Sequence, residues 1–266
     1  MKPALTQNKL PKIICLLGLI TNFAFAVHAG SDDYPPSAKE SIEWCDIWIS
    51  HADETNLPRV LLIGDSITRA YYPEVERQLA GRAYVGRLSS SAFISDPALL
   101  DQIKMVLKRY KFDVIHFNNG MHGWEHSEKE YAQALPLYLK TIQKDASGAK
   151  LIWANTTPLK VSPSASADNP MQATDARIDA RNAIAAQFMQ AKGIPVEDLN
   201  TSMLGHPEYH TDNVHFNDQG ISIQAARVAS DVENLLGVQT SRHDNASRRG
   251  NKQVFPHAGI AGQSAS

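Results

Sequence analysis

Short apolar runs alternate along the chain with longer segments whose apolar residues recur every three or four positions. The apolar runs lie at about 60–64, 83–88, 113–117, 150–154 and 194–199. Runs of this length are typical of strands buried on both faces, and the striped segments between them are typical of helices packed on a sheet. The alternation predicts an α/β fold, a three-layer α/β/α sandwich with a central parallel sheet of about five strands.

The N-terminal residues differ from this alternating part. Residues 1–29 begin with lysines, continue into an apolar stretch and end in His28-Ala29. This is the pattern of a cleavable signal peptide, so we expect a secreted or periplasmic protein. The apolar stretch is shorter than the ~20 residues of a spanning helix, and we therefore expect no stable membrane insertion after cleavage.

The rest of the chain divides into three parts. Residues 30–57 open with a polar linker and continue into an aromatic segment, where Trp44 and Trp48 predict a face packed on the domain. Residues 58–237 carry the alternating pattern and predict one domain. Residues 238–266 are polar with few apolar residues, which predicts a disordered tail.

Composition and charge narrow the classes of function. The 266 residues are 43% hydrophobic and 20% charged, as in an ordinary globular protein that can bury a substantial core. The formal net charge is -2, and no long run of like charge occurs. A nucleic-acid partner normally requires a basic patch, so we expect no nucleic-acid binding.

Candidate chemistry begins at the end of the first predicted strand, where Gly64, Asp65 and Ser66 follow an apolar run. Open α/β sheets place reactive groups at the carboxyl ends of their strands, which makes Ser66 a candidate nucleophile. A serine hydroxyl needs a general base, and an acid usually orients that base. Near the other end, Asp212-x-x-His215 can present both groups from one short loop.

These two blocks, Gly64-Asp65-Ser66-Ile67 and Asp212-x-x-His215, resemble the first and last blocks of the GDSL/SGNH hydrolases. The resemblance spans about residues 58–237. It implies that the serine is the nucleophile of a Ser-His-Asp triad, that no cofactor or metal is needed, and that middle blocks supply a Gly and an Asn to the oxyanion hole.

The middle blocks of this chain depart from the family pattern. After the strand that ends at Phe117, Gly120 matches but His122 stands where the family has Asn. Ser91 stands where the family has Gly, although any non-proline residue offers a backbone N–H. The expected oxyanion donors are the backbone N–H groups of Ser66 and Ser91 with a side chain from His122 or Asn119. Asp65 and Gly120 are expected to bind substrate.

The resulting hypothesis is an exported serine esterase that acts on a small-molecule or polysaccharide ester. O-acetyl groups on a carbohydrate are the first choice, because the Gly-x-His variant resembles that of polysaccharide O-acetyl esterases. A lipase or aryl esterase for short acyl esters is an alternative. A metal-dependent hydrolase stays open because His122/His126, His206/His210 and Asp212/His215 are ligand types that zinc accepts. A non-catalytic glycan-binding protein with this fold also stays open.

Overall fold

Strands and helices alternate along the computed structural model of this protein, which describes residues 40, 42–146, 148–164 and 172–237. Its elements are β1 (Cys45–Ile49), β2 (Arg59–Gly64), α1 (Ser66–Gln78), β3 (Tyr84–Ser90), α2 (Pro97–Arg109), β4 (Val114–Phe117), α3 (Glu128–Asp145), β5 (Lys150–Ala154), α4 (Asp175–Ala191), β6 (Val196–Glu197), α5 (Leu199–Met203), a 3-10 turn (Pro207–Tyr209) and α6 (Asp218–Leu236). The predicted signal peptide and the predicted C-terminal tail lie outside the described residues. Within the described part, no helix combines the length and the apolar character needed to cross a membrane.

All six strands belong to one sheet, in the order β1-β3-β2-β4-β5-β6. Neighbours from β3 to β6 run parallel, which confirms the predicted α/β sandwich with a parallel core. The sheet has one strand more than expected, because β1 pairs antiparallel with β3 at the edge. Alternation places Ile47 and Ile49 toward the core, whereas Trp48 on the opposite face is 56% exposed. The prediction that the tryptophan face packs on the domain is therefore wrong for Trp48.

Strand β2 lies at the centre of the molecule and is buried along its whole length. Leu61 and Ile63 face a core covered by α2 and α3, while Val60 and Leu62 face a core covered by α1 and α6. A fully buried side chain of this kind contributes roughly 1.5–3 kcal/mol. Burial on both faces therefore fixes the position of the strand that leads into Ser66.

The order of the strands also determines where a site can form. From β2 the chain goes to β3 on one side, and β4 lies on the other side, so the connections diverge between β2 and β4. Ligands of open α/β sheets bind at such a switch point, outside the carboxyl ends of the strands. Ser66 follows β2 at this point, and the loop that carries His122 follows β4.

Candidate active site

A chain of three side chains joins the start of α1 to the loop before α6. Ser66 Oγ lies 2.8 Å from His215 Nε2, and His215 Nδ1 lies 2.7 Å from Asp212 Oδ2. The other carboxylate oxygen, Asp212 Oδ1, accepts from the backbone N–H groups of Val214 and His215, each at 2.7 Å. The structure thus brings together the three residues that the sequence nominates as a triad.

Asp212 is held as a carboxylate by its own loop. Partial burial alone would raise the pKa of Asp212, but the backbone hydrogen bonds from His215 and Val214 and the adjacent imidazole lower it to about 2. An ionised carboxylate can only accept, so Nδ1 of His215 carries its proton toward Asp212. The opposite nitrogen, Nε2, is then free to accept the hydroxyl proton of Ser66.

Local chemistry explains why Ser66 stands where it does. The side chain of Asp65 caps α1 by accepting from the N–H of Ile67 at 2.9 Å. Ser66 is therefore the first residue of the helix, and its backbone N–H is one of those that have no partner within a helix. This N–H can donate to an oxyanion, as the sequence predicts.

Two expected substrate-binding residues serve the fold instead. Asp65 is 5% exposed, and its carboxylate accepts the hydrogen bond that caps α1. This corrects the expectation that Asp65 binds substrate. A side chain at Gly120 would overlap the side chain of Thr156, and the Gly120 carbonyl accepts from Arg181 at 3.1 Å. Gly120 is thus a packing position, which corrects the second expectation.

Ser91 and Asn119 do not occupy the expected places in an oxyanion hole. The backbone N–H of Ser91 donates to the carbonyl of Trp44 at 3.2 Å, as an extension of the β1-β3 pairing. The side-chain amide of Asn119 donates to the carbonyl of Ala92 at 3.0 Å. These contacts correct the expectation for Ser91 and leave His122 as the better placed of the two side-chain candidates.

His122 is paired with a residue far away in the sequence. His122 Nδ1 lies 2.9 and 3.0 Å from the two carboxylate oxygens of Glu40, and the N–H of Gly123 donates to the same carboxylate at 3.3 Å. The other ring nitrogen, His122 Nε2, is buried and has no hydrogen-bond partner among the described residues. One nitrogen of this imidazole is therefore fixed by Glu40, and the other makes no hydrogen bond within the described part of the chain.

Two arginines of α4 hold the loop that carries His122. Arg181 is fully buried and donates to the carbonyls of Gly120, His122 and Gly123 at 2.8–3.1 Å. Burial lowers the pKa of Arg181 to about 10, which still leaves the guanidinium charged at neutral pH. Arg177 donates to the carbonyls of Trp124 and His126 at 2.9 and 2.7 Å. Backbone carbonyls that would otherwise be buried without partners are thereby satisfied.

The Ser66–His215 pair opens on a cavity of about 470 Å³. Its lining combines an aromatic ring, carboxylates and small apolar groups, and consists of Glu40, Ser66, Met121, His122, Trp124, Glu125, Ala173, Val214 and His215. The indole of Trp124 is itself covered by Arg181, whose guanidinium carbon lies 4.1 Å from the ring centroid. Ser66, His215 and His122 thus line one cavity of small-ligand size.

Residues 62–222, more than half of the chain, match the GDSL-like Lipase/Acylhydrolase family. The chain belongs to this family. The esterase and acylhydrolase chemistry of the family agrees with the geometry at Ser66. The GDSL/SGNH resemblance inferred from the sequence is confirmed. No curated protein matches the chain significantly in sequence.

Solved structures similar to this GDSL-family chain support the same fold. A GDSL-like lipase from Bacteroides thetaiotaomicron is 16% identical, with a TM-score of 0.53, over 66% of this chain and 88% of its own. The M. smegmatis aryl esterase is 14% identical, with a TM-score of 0.55, over 67% and 99%. A carbohydrate esterase of family 3 from Talaromyces cellulolyticus is 17% identical, with a TM-score of 0.54, over 69% and 100%.

The other histidines considered as zinc ligands in this GDSL-family chain each pack against an aromatic ring. His126 stacks on Phe93 with ring centroids 4.0 Å apart, and His206 stacks on Tyr209 at 4.5 Å. His210 packs against Phe216 at 4.2 Å. The described part of the chain holds no group of three or more His, Cys, Asp or Glu side chains arranged to bind a metal ion.

Two residues of the site are invisible to sequence reasoning. Glu40 lies within residues 30–57, interpreted as a linker and an aromatic segment, 82 positions before its partner His122. Arg181 lies in the middle of α4, where a charged residue predicts a solvent-exposed position rather than full burial. No local motif marks either residue, because both act through contacts that only the fold creates.

Proposed function

We propose that this GDSL-family chain is an exported serine esterase that removes O-acetyl groups from a carbohydrate. The observation that carries the proposal is the hydrogen-bonded sequence from Ser66 through His215 to Asp212 at the edge of the 470 Å³ cavity. The roles of these residues follow from the chemistry of the three groups at these distances.

Ser66 Oγ attacks the ester carbonyl while His215 Nε2 takes its proton. Asp212 orients the imidazole and stabilises the imidazolium that forms. The tetrahedral intermediate collapses, the C–O bond to the alcohol breaks, and His215 returns the proton to the departing oxygen. Water then attacks the acyl carbonyl while His215 removes its proton. The bond between Ser66 Oγ and the acyl group breaks, His215 returns the proton to Ser66, and the carboxylic acid leaves.

The negative charge of the intermediate needs donors that are already in place. The backbone N–H of Ser66 supplies one. We assign a second to His122 Nε2, because this nitrogen has no partner among the described residues and His122 lines the same cavity as Ser66. One such donor is worth roughly 2.7–4 kcal/mol of transition-state stabilisation. His122 would thus replace the Asn that stands at this position elsewhere in the family.

The lining of the cavity favours a short acyl group on a polar alcohol. Glu40 and Glu125 place carboxylates in the wall, which makes the cavity a poor site for a long apolar chain. Trp124 offers an aromatic surface, and Glu125 offers a hydrogen-bond acceptor for hydroxyl groups. An aromatic ring beside a carboxylate suits a sugar, and a similar structure is that of a carbohydrate esterase.

Short aryl esters are the second candidate. Met121, Ala173 and Val214 form an apolar part of the same wall, against which an aryl group could pack. A similar structure is that of an aryl esterase. A carbohydrate ester would contact Trp124 and Glu125, whereas an aryl ester would pack on the apolar part of the wall. Kinetics of variants can therefore separate the two substrates.

The test is a substrate panel of acetylated xylo-oligosaccharides and p-nitrophenyl esters from acetate to octanoate. We expect the wild-type protein to release acetate from the glycans, to prefer acetate among the aryl esters, and to lose both activities in Ser66→Ala. Trp124→Ala should raise KM for the glycans more than for p-nitrophenyl acetate. Trp48→Ala is the matched control, because Trp48 also lies under an arginine but is 56% exposed and does not line the cavity.

Equal acetate release by the wild-type and Ser66→Ala proteins would exclude the serine mechanism. A preference for octanoate over acetate would exclude the short-acyl assignment. If Trp124→Ala and Trp48→Ala had the same effect on glycan KM, the sugar would not bind against Trp124.

A further inference from the structure

The imidazole of His122 has two nitrogens in very different surroundings. Nδ1 faces both oxygens of Glu40 at 2.9 and 3.0 Å, whereas Nε2 is buried without a partner among the described residues. The His122 side chain is 19% exposed and the Glu40 side chain 32% exposed. The pair is therefore partly withdrawn from water, where charge–charge interactions are stronger than on an open surface.

The protonation state of His122 decides whether Nε2 can serve as a donor. An ionised carboxylate only accepts, so Nδ1 carries a proton whenever it is bonded to Glu40. A neutral imidazole has one ring proton, and Nε2 would then present a lone pair that repels an oxyanion. Only the imidazolium carries a proton on both nitrogens. The oxyanion role proposed for His122 thus requires the charged form.

Several charged groups face His122 from different elements. Glu40 approaches from the segment before β1, Asp65 from the turn after β2, and Glu125 from the loop that carries His122 itself. Burial alone would lower the pKa of His122, but the hydrogen bond to Glu40 and the charges of these three carboxylates raise it. His215 shares the cavity, and Arg181 donates to the His122 carbonyl at 2.8 Å. Three carboxylates thus face His122, against one arginine that binds its backbone carbonyl.

We propose that Glu40 is a positioning residue that keeps His122 in its imidazolium form, with Nε2–H directed at the oxyanion. The proposal rests on the proposed esterase function of the same cavity. It also assigns a purpose to the additional edge strand. Glu40 lies five positions before β1, which pairs with β3 at the sheet edge, and its carboxylate contacts the loop after β4.

A second contact fixes the direction of the Glu40 side chain. The N–H of Gly123 donates to the same carboxylate, and Gly123 has a positive φ of 70° that suits glycine. A side chain at this position would also overlap the ring of Phe93. Gly123 therefore turns the backbone directly after His122 so that ring and backbone both bind Glu40.

The direct test is an NMR titration of His122 in the Ser66→Ala background, with ring nitrogens labelled by 15N-histidine. We expect both ring nitrogens of His122 to carry protons at neutral pH, and the Glu40→Gln substitution to move the titration midpoint of His122 to lower pH. Glu43→Gln is the matched control, since Glu43 is an exposed glutamate of the same segment. An unchanged midpoint in Glu40→Gln would overturn the proposal. Because no turnover is measured, this result does not depend on the esterase assignment.

The functional test is the pH profile of kcat for p-nitrophenyl acetate. Wild-type activity should fall at alkaline pH as His122 loses its second proton, and Glu40→Gln should move this alkaline limb to lower pH while the acid limb stays in place. At pH values where His122 is charged in the wild-type protein but neutral in Glu40→Gln, the kcat of Glu40→Gln should be lower by roughly 10²-fold, the effect of one missing donor. The matched Glu43→Gln profile should follow that of the wild-type protein.

His122→Asn provides a second, independent variant. An Asn amide donates at every pH, so the alkaline limb should flatten, and adding Glu40→Gln should then leave the profile unchanged. A uniform loss of kcat at all pH values in Glu40→Gln, or the same loss in both backgrounds, would show a merely structural role and overturn the proposal. A thermal melt of each variant identifies any that is unfolded at the assay temperature.

Discussion

Two carboxylate–imidazole pairs each contribute an imidazole to the wall of the same cavity, yet their chemistry differs. In the Asp212–His215 pair the outer nitrogen lies 2.8 Å from Ser66 Oγ, whereas in the Glu40–His122 pair the outer nitrogen has no partner among the described residues. The carboxylate distances are alike, 2.7 and 2.9 Å. The same pair of groups can therefore serve as a base or as a donor, and the group opposite the outer nitrogen decides which.

Exposure separates the pairs further. The His215 and Asp212 side chains are 44% and 58% exposed, against 19% and 32% for His122 and Glu40. A base that gains and loses a proton in each cycle benefits from contact with water, which stabilises both of its forms. A donor that must stay charged gains more from a sheltered carboxylate, because the attraction is screened less. The predictions below perturb one pair while the other stays intact.

The largest effect is expected from the pair that contacts the nucleophile. Ser66→Ala and His215→Ala should each lower kcat by about 10⁶-fold, and the double variant should be little worse, because triad members act as a unit. Rates with p-nitrophenyl acetate, measured with enough enzyme to detect the residual turnover, provide the check. Losses that multiply in the double variant would contradict a shared mechanism.

The second pair should have a smaller effect. His122→Ala should lower kcat by roughly 10²–10³-fold with little change in KM, as expected for one missing oxyanion donor, and His122→Asn should retain substantial activity. Asn119→Ala is the control, because its amide is directed at the Ala92 carbonyl. Near-wild-type kcat in a folded His122→Ala protein would refute the donor role, and a selective kcat loss in Asn119→Ala would transfer that role to Asn119.

The two pairs also differ in how far the sequence reveals them. Asp212 and His215 are three positions apart on one loop, and Ser66 follows an apolar run. The hydrophobic pattern and the residue spacing therefore suffice to predict all three as candidate catalytic residues. Glu40 and His122 are 82 positions apart, and the fold brings them into contact. A long-range contact between two common residue types leaves no periodic or spacing signal in one sequence.

The same limit explains the errors at Ser91 and β1. The five parallel strands lie within or beside apolar runs and could be recognised, because these runs are largely buried in the sheet. The edge strand mixes Asp46, Trp48 and two isoleucines. Trp44, just before the strand, and Trp48 are four positions apart, a spacing that fits a helix and a strand equally well. With β1 unrecognised, the Trp44 carbonyl that occupies the Ser91 N–H could not be foreseen.

Arg181 binds backbone carbonyls of the loop that carries His122. Its replacement should therefore affect the Glu40–His122 pair and leave the Asp212–His215 pair intact. Arg181→Met leaves buried carbonyls of the His122 loop without a donor and should lower the free energy of unfolding by about 3 kcal/mol or more. Arg69→Met is the control, since Arg69 is exposed and stacks on Trp44, and its replacement should change stability by less than about 0.5 kcal/mol. Urea unfolding of both variants is the measurement, and equal stability losses would contradict the role of Arg181.

The smallest effect concerns the stability that the Glu40–His122 ion pair contributes, and its pH dependence has a definite sign. Burial alone would lower the pKa of His122, but its carboxylate neighbours raise it in the folded state, so its contribution is present below about pH 6.5 and is lost as pH rises through the raised value. Burial alone would raise the pKa of Glu40, but His122 and the Gly123 N–H lower it. Its contribution is therefore present above about pH 4.3 and is lost as pH falls through the lowered value.

The pair should accordingly stabilise the fold most between about pH 4.3 and 6.5. Because both side chains keep some exposure, we expect Glu40→Gln to cost only about 0.5–1 kcal/mol at pH 5.5 and distinctly less at pH 9. Urea unfolding at the two pH values, with Glu43→Gln as the reference, measures the difference. A cost that is the same at both pH values would mean that Glu40 acts by packing and not through charge, and the contrast between the two imidazoles would then rest on Ser66 alone.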